Sequence, residues 1–222
     1  MKTIVSYSYS GGPNRSLVTA NLAVVLARLG YSVVVADLDL ASPCLHEKFG
    51  ELDRSILERK GMLDYLGGYF KSYEKEGRFD FGSIRDCIAK LPSPATTNLS
   101  MRCGDIRLIS PGNNFSEMYQ RALAEGPWQQ LLQSNSIGEK PSDKYGCASK
   151  FFSEFRAAIA GLEHRPDYLL IDLPIGLTEL TLVSIQALAD TVICLFDHNE
   201  ESTDCINNVL RSVRSLPSEV VT

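Results

Sequence analysis

The residues best suited to chemistry fall into three groups. The first is Ser10-Gly11-Gly12-Pro13-Asn14-Arg15-Ser16, a glycine turn followed by a cation and a hydroxyl. The second is Asp37 and Asp39 in Ala-Asp-Leu-Asp-Leu, and the third is Asp172 in Asp-Leu-Pro-Ile-Gly. A turn that leaves a strand and opens a helix aims backbone amides and the positive helix end at an anion, phosphate above all. A triphosphate with magnesium needs the whole set: amides and a cation for phosphate oxygens, a hydroxyl on the metal, and carboxylates around it. Taken alone, the turn is a weak signal. Tyr9 and Asn14 stand where a strict phosphate loop has glycines, and Arg15 where it has lysine. A tight strand-to-helix connection without ligand explains it better, and any single Asp at a strand end can cap the next turn or helix. Three carboxylates and the loop at one edge of a sheet are a stronger pattern than any member.

Placing them there requires a particular set of elements. Thr3–Ser8 has the residue types of a buried strand, and Ser16–Leu29 carries Leu22, Val25, Leu26 and Leu29 at helical spacing. Gly30 stands at a helix C′ position, and Val33–Ala36 is a continuous apolar run, as in a parallel strand covered on both faces. Further strands are expected at Ile106–Ser110, Tyr168–Ile171 and Thr191–Phe196. Helices are expected at Met62–Tyr73, Ser116–Leu132, Phe151–Leu162, Leu177–Ala189 and Ser202–Leu216. Alternation of this kind predicts a three-layer α/β sandwich, a mainly parallel central sheet with helices on both faces. Ligands then bind at the C-terminal strand ends, where Asp37, Asp39 and Asp172 stand. The Thr3 strand is expected between the Val33 and Tyr168 strands. Residues 51–150 form a variable helical and loop segment whose chemistry is silent.

Composition excludes much else. The 222 residues are 44% apolar and 22% charged, with a net charge of −5, ordinary usage for a globular chain. No apolar run approaches the ~20 residues of a bilayer span, and no signal-peptide core is visible, which points to the cytoplasm. Cys44, Cys87, Cys103, Cys147, Cys194 and Cys205 are scattered without metal-ligand spacing, so reduced thiols are expected. The acidic balance and dispersed basic residues give no strong nucleic-acid signal. His46, His164 and His198 are assigned to surface or loop hydrogen bonding, Trp128 to packing, and Glu200 and Glu201 to capping the last helix beside Ser202. The pattern of alternating elements stops at Val220-Val221-Thr222 where another strand would begin, so a C-terminally incomplete domain spanning 1–222 is expected as readily as a ragged natural end.

Several segments together resemble one family. Ser6-Tyr7-Ser8-Tyr9 with the loop, Ala20-Asn21-Leu22-Ala23, and Asp39-Leu40-Ala41-Ser42-Pro43-Cys44-Leu45-His46 are similar to the MinD/ParA-like deviant-Walker P-loop ATPases, in particular a bacterial branch with a Lys-Gly-Gly-Val-Gly-Arg loop. Asp167–Asp172 with Gly176-Leu177, and Leu195-Phe196 with Asn199-Glu200-Glu201-Ser202, continue the likeness. It spans most of the chain and is weakest over 51–105. The resemblance implies a SIMIBI-type P-loop fold, with ATP and Mg2+ as cofactors. It implies nucleotide contacts from Gly11, Gly12, Pro13, Asn14, Arg15, Ser16 and Leu17, and metal binding by Ser16, Asp37 and Asp172. Asp37, Asp39 and Arg15 take the catalytic places, and Gly176 that of the glycine sensing the γ-phosphate. A homodimer built around ATP and a protein partner are implied too.

The departures from that pattern carry their own prediction. The loop lysine that would reach across the dimer is Ser10, so a transition-state cation is missing. Pro13 lacks an N–H, Asn14 places a side chain where glycine leaves room, and Arg15 keeps the charge with a different geometry. Two functions remain open: an ATP-dependent dimerisation switch with impaired hydrolysis, and a non-hydrolysing pseudo-ATPase that regulates or scaffolds. A DNA-partition motor is disfavoured by a closing helix offering only Arg211 and Arg214, and a tyrosine autokinase by the lack of a terminal tyrosine cluster.

Overall fold

The computed structural model describes residues 1–9, 14–50, 54–76, 83–92, 103–133, 146–196, 207–209 and 211. Among the described residues six strands form one sheet: β1 (Lys2–Ser8), β2 (Val33–Asp37), β3 (Ile88–Lys90), β4 (Ile106–Ile109), β5 (Tyr168–Asp172) and β6 (Thr191–Leu195). Their order is β3-β4-β2-β5-β1-β6, and only the β3–β4 pair is antiparallel. The order corrects one expectation. β5 lies between β2 and β1, rather than β1 between β2 and β5, with Leu170 facing Ile4 on one side and Val35 on the other. The β1-to-β2 crossover therefore skips a place that the later strand fills. Strands apolar on both faces carry no mark of which neighbour they take.

The same register sets Asp37 directly beside Asp172, with Ser6 on the far side of Asp172. The expected common edge for the Asp37 and Asp172 strand ends is present. Leu38 N–H then donates to the Asp172 carbonyl at 2.9 Å, extending the ladder one residue past β2.

Helices cover both faces. They are α1 (Arg15–Arg28), α2 (Met62–Glu76), α3 (Glu117–Ala124), α4 (Pro127–Gln133), α5 (Gly146–Ala160) and α6 (Glu179–Leu188). Along β2, Val34 and Ala36 point into a core shared with α2 to α6, while Val33 and Val35 point at α1. This is the period of two that a strand imposes. The larger core is aromatic: Tyr69 meets the edge of Phe151 with centroids 4.9 Å apart, and Trp128 stacks on Phe152 at 6.1 Å. Trp128 thus packs, as expected.

Three of the expected helices differ from their sequence pattern. The expected Ser116–Leu132 helix is two helices, broken at Gly126, whose φ of +65° is left-handed, and restarted at Pro127. Proline has no N–H to continue a helix but fits the first position of a new one. In α1 the buried stripe is Ala20, Ala23, Leu26 and Ala27, whereas Val25 and Leu29 are half exposed. Small residues let α1 lie close on Val33, Val35 and Leu170, and the bulky ones stay outside. α5 begins at Gly146 rather than Phe151. The expected closing helix Ser202–Leu216 falls mostly outside the described residues, as do Cys205, His198, Glu200 and Glu201. Among the described residues the cysteines form no disulfide with one another.

At the N-terminal strand edge, Asp190 accepts the Thr3 N–H at 2.7 Å and pairs with Arg156 at 2.9 Å. Both side chains are about one-third exposed.

Candidate functional site

The site is built where α1 begins, beneath the ends of β2 and β5. Arg15 and Ser16 open the helix, and both side chains are buried against the sheet on the face that continues through Thr19 to the alanines. One helix face is therefore polar in its first turn and apolar after it. Asp37 and Asp172 are the last residues of adjacent strands, and Asp39 stands in the connection beyond β2.

These groups form one network. Arg15 Nε donates to Asp172 Oδ1 at 2.8 Å, and Arg15 Nη2 donates to Asp39 Oδ2 at 3.1 Å. The Ser16 hydroxyl donates to Asp172 Oδ2 at 2.5 Å and accepts the Cys44 S–H at 3.3 Å. Asp37 Oδ1 and Oδ2 accept the amides of Asp39 (3.0 Å) and Leu45 (3.3 Å), and Asp39 Oδ1 accepts that of Ser42 at 3.1 Å. The connection after β2 is thus folded onto its own carboxylates.

Burial dominates the electrostatics. The Asp37 carboxyl is held well above the usual carboxylate range, first by burial and then by neighbouring Asp172, against the pull of its two amides. Asp172 is also raised, because burial outweighs Arg15 and Ser16. For Arg15, burial works against the charge, yet Asp172 and Asp39 keep its pKa above the ordinary value.

The residues expected to hold a divalent ion are engaged with other protein groups in this arrangement. Of the three residues expected to hold one, Asp37 spends both oxygens on main-chain amides, and Asp172 spends one on Arg15 and one on Ser16. The Arg15 guanidinium supplies part of the positive charge these carboxylates call for, and it would repel a second cation beside it. Among the described residues no cluster of three or more His, Cys, Asp or Glu has metal-binding geometry.

The other expected residues are more scattered. Ser10, Gly11, Gly12 and Pro13 lie outside the described residues. Asn14 precedes α1 with φ −112°, so a left-handed conformation is not used there, and its side chain makes no capping bond. Leu17 is 40% exposed, away from the network. Gly176 has φ +90°, a conformation that favours glycine, and donates its N–H to the Ser8 carbonyl at 3.1 Å, tying the β5–α6 loop to the end of β1.

Sequence reasoning missed Thr19 and Cys44 as members. The Thr19 hydroxyl lies 3.1 Å from the Arg15 carbonyl and 3.5 Å from Asp172. Its position one helical turn beyond Arg15 is the signal that could have placed it. His46 corrects its assignment to surface hydrogen bonding. It is buried, its pKa is lowered by burial, and Nδ1 finds no hydrogen-bond partner among the described residues. Beside it a cavity of about 520 Å³ is lined also by Leu57, Glu58, Asn113, Phe115 and Ser116.

No family model matches the chain, and no curated protein sequence matches it. Solved structures do. The septum site-determining protein MinD complexed with Mg-ADP, from Pyrococcus horikoshii OT3, is similar with a TM-score of 0.57 and 20% identity, over 95% of this chain and 65% of that one. A plasmid partition protein from Borrelia burgdorferi gives 0.56 and 15%, over 97% and 73%. Cobyrinic acid a,c-diamide synthase from Mycobacterium smegmatis gives 0.59 and 17%, over 96% and 66%. The fold is that of the MinD/ParA-like P-loop proteins, and the chain spans about two thirds of the length of two of these three structures. Among the described residues no helix is long and apolar enough to cross a membrane.

Proposed function

We propose that this chain is a cytoplasmic nucleotide-binding switch of the MinD/ParA kind, with impaired ATP hydrolysis, in which bound ATP pairs two copies and so controls a protein partner. One observation carries the reading: Arg15 and Ser16, at the start of α1, converge with Asp172 at the end of β5 and with Asp39 just beyond the end of β2. The similarity to a MinD solved with Mg-ADP supports ATP as the ligand. In this reading the amides of Gly11, Gly12 and the α1 N-terminus receive the phosphates, Arg15 and Ser16 border them, and Asp37 and Asp39 shape the connection where the attacking water would sit. Ser10, Pro13 and Asn14 account for slow turnover.

A second reading, a non-hydrolysing scaffold, is favoured by the way Arg15 closes on two carboxylates. Calorimetric titration with ATP and light scattering for dimers, then phosphate release, separates the two. The triple variant Ser10→Lys, Pro13→Val, Asn14→Gly restores a cation, a backbone donor and space at the loop. Its hydrolysis is expected to rise at least tenfold, about 1.4 kcal/mol of barrier, and Asp39→Ala on that background to remove the gain. A variant that binds ATP and dimerises yet stays at background turnover selects the scaffold.

A further inference from the structure

The cavity beside His46 shares none of its described lining with the Arg15 network and has a chemistry of its own. His46 opens a one-turn helix (His46–Phe49) just after Leu45, whose amide is anchored on Asp37. Its imidazole is 6% exposed, and Nδ1 has no hydrogen-bond partner among the described residues. Buried polar atoms are almost always paired, so an orphan on a cavity wall calls for a partner from outside the chain. Burial also lowers the His46 pKa, which leaves the ring uncharged at neutral pH.

A second wall comes from the turn into α3. Phe115 precedes the Ser116 cap, the place from which an apolar residue staples a helix by packing on its fourth residue. Here that residue is the exposed Gln120, and the Phe115 ring is left 80% exposed. Ser116 is engaged internally: its hydroxyl donates to the Asn113 carbonyl at 2.9 Å and accepts the Tyr119 N–H at 3.1 Å, which holds this wall in place. Glu58 is exposed and in no ion pair among the described residues. Arg59 and Lys60 line the neighbouring cavity and not this one. A free carboxylate, an open aromatic face, the Leu57 side chain and neutral acceptors together favour positive charge on an apolar stem. An anion would meet Glu58, and Glu117 at the start of α3, with no cation among the described lining residues. A volume of about 520 Å³ is that of a small-molecule site.

We infer that this cavity binds a small organic cation, an alkylguanidinium or alkylammonium, its head paired with Glu58 and the Phe115 ring and its stem along Leu57. The inference goes beyond the nucleotide-switch reading and does not depend on it.

The test is NMR titration of the full chain, without nucleotide, following the His46 ring resonances. The probes are n-butylguanidinium, n-butylammonium, butyrate and n-butanol. Saturable shifts with dissociation constants of about 1 mM are expected for the two cations, and binding at least about fivefold weaker for butyrate and butanol. Glu58→Gln is expected to weaken cation binding about fivefold, and Phe115→Ala about threefold. Both side chains are exposed, so neither change threatens the fold. Butyrate or butanol binding as tightly as the cations overturns the inference, and so does the lack of saturable shifts below about 20 mM. Cation binding that both variants leave unchanged overturns it too, since the cation then sits elsewhere. A short peptide carrying one arginine that binds where the free cations do not makes the cavity a protein-recognition site and overturns the small-ligand inference. Every one of these outcomes leaves the nucleotide reading as it was.

Discussion

The two ends of the sheet hold the same pair of groups, an arginine against an aspartate, and treat them oppositely. Arg15–Asp172 at the C-terminal edge is 5% and 1% exposed; Arg156–Asp190 at the N-terminal edge is 34% and 35% exposed. Asp172 sits above the ordinary carboxylate range, because burial costs it more than Arg15 returns. For Asp190 burial acts in the same direction, but the Thr3 amide and Arg156 overcome it and the pKa is lowered. An arginine neighbour does not by itself fix the sign of a carboxylate's shift; water decides how much of the partner's field is needed. The buried pair is a charge balance that must be complete, and the exposed pair is an adjustment that solvent largely makes redundant.

The sharpest way to break the contrast is Arg15→Met, which keeps much of the stem's volume and removes the cation. Two buried carboxylates then lose their partner, and the expected loss of stability is about 3–5 kcal/mol by urea denaturation. A loss below about 1 kcal/mol, the range of exposed pairs, would mean that water reaches Asp172 and that the two ends are alike. The next effect is on pH. Asp37, raised by burial, binds its proton more strongly folded than unfolded. Its contribution is therefore fully present below the unfolded value near pH 4 and is lost as pH rises through the folded pKa, with a slope of at most about 1.4 kcal/mol per pH unit. Asp190, lowered, bends the curve the other way: its stability is present above about pH 4 and is lost as pH falls through its folded pKa. Asp37→Asn should flatten the alkaline-side decline in denaturation midpoints measured from about pH 4 to 8, and leave the acid limb as it was. The smallest effect is Arg156→Ala, expected to cost under about 1 kcal/mol in the same assay, in line with other exposed pairs.

The features legible in the residues and those that are not divide between local and global causes. Val33–Ala36 and Tyr168–Ile171 announce themselves as buried strands, and Asp37 and Asp172 at their ends come with them. Local chemistry also places Gly30, whose φ of +93° closes α1. Strand order is another matter, since β1 and β2 are apolar enough to accept β5 between them without any residue announcing it. The inner stripe of α1 is hard to see because alanines look neutral beside Val25 and Leu29, although closeness to the sheet selects them. The break at Gly126-Pro127 is legible in principle and is obscured by the apolar period running across it. For the site, residue types indicate the members, but the direction taken by Arg15 depends on two carboxylates brought together only by folding.

The alanine stripe of α1 has a mechanical consequence. Ala20, Ala23 and Ala27 set how far the helix axis stands from β2 and β5, and Arg15 lies at the free end of the same rigid rod. Adding bulk at Ala23, near the middle of the rod, would push the helix away from the sheet and carry its tip with it. Hydrogen bonds of 2.8 and 3.1 Å tolerate only a few tenths of an ångström before they weaken. The guanidinium is in this sense the pointer of a gauge, and the thickness of a buried methyl group is what it reads.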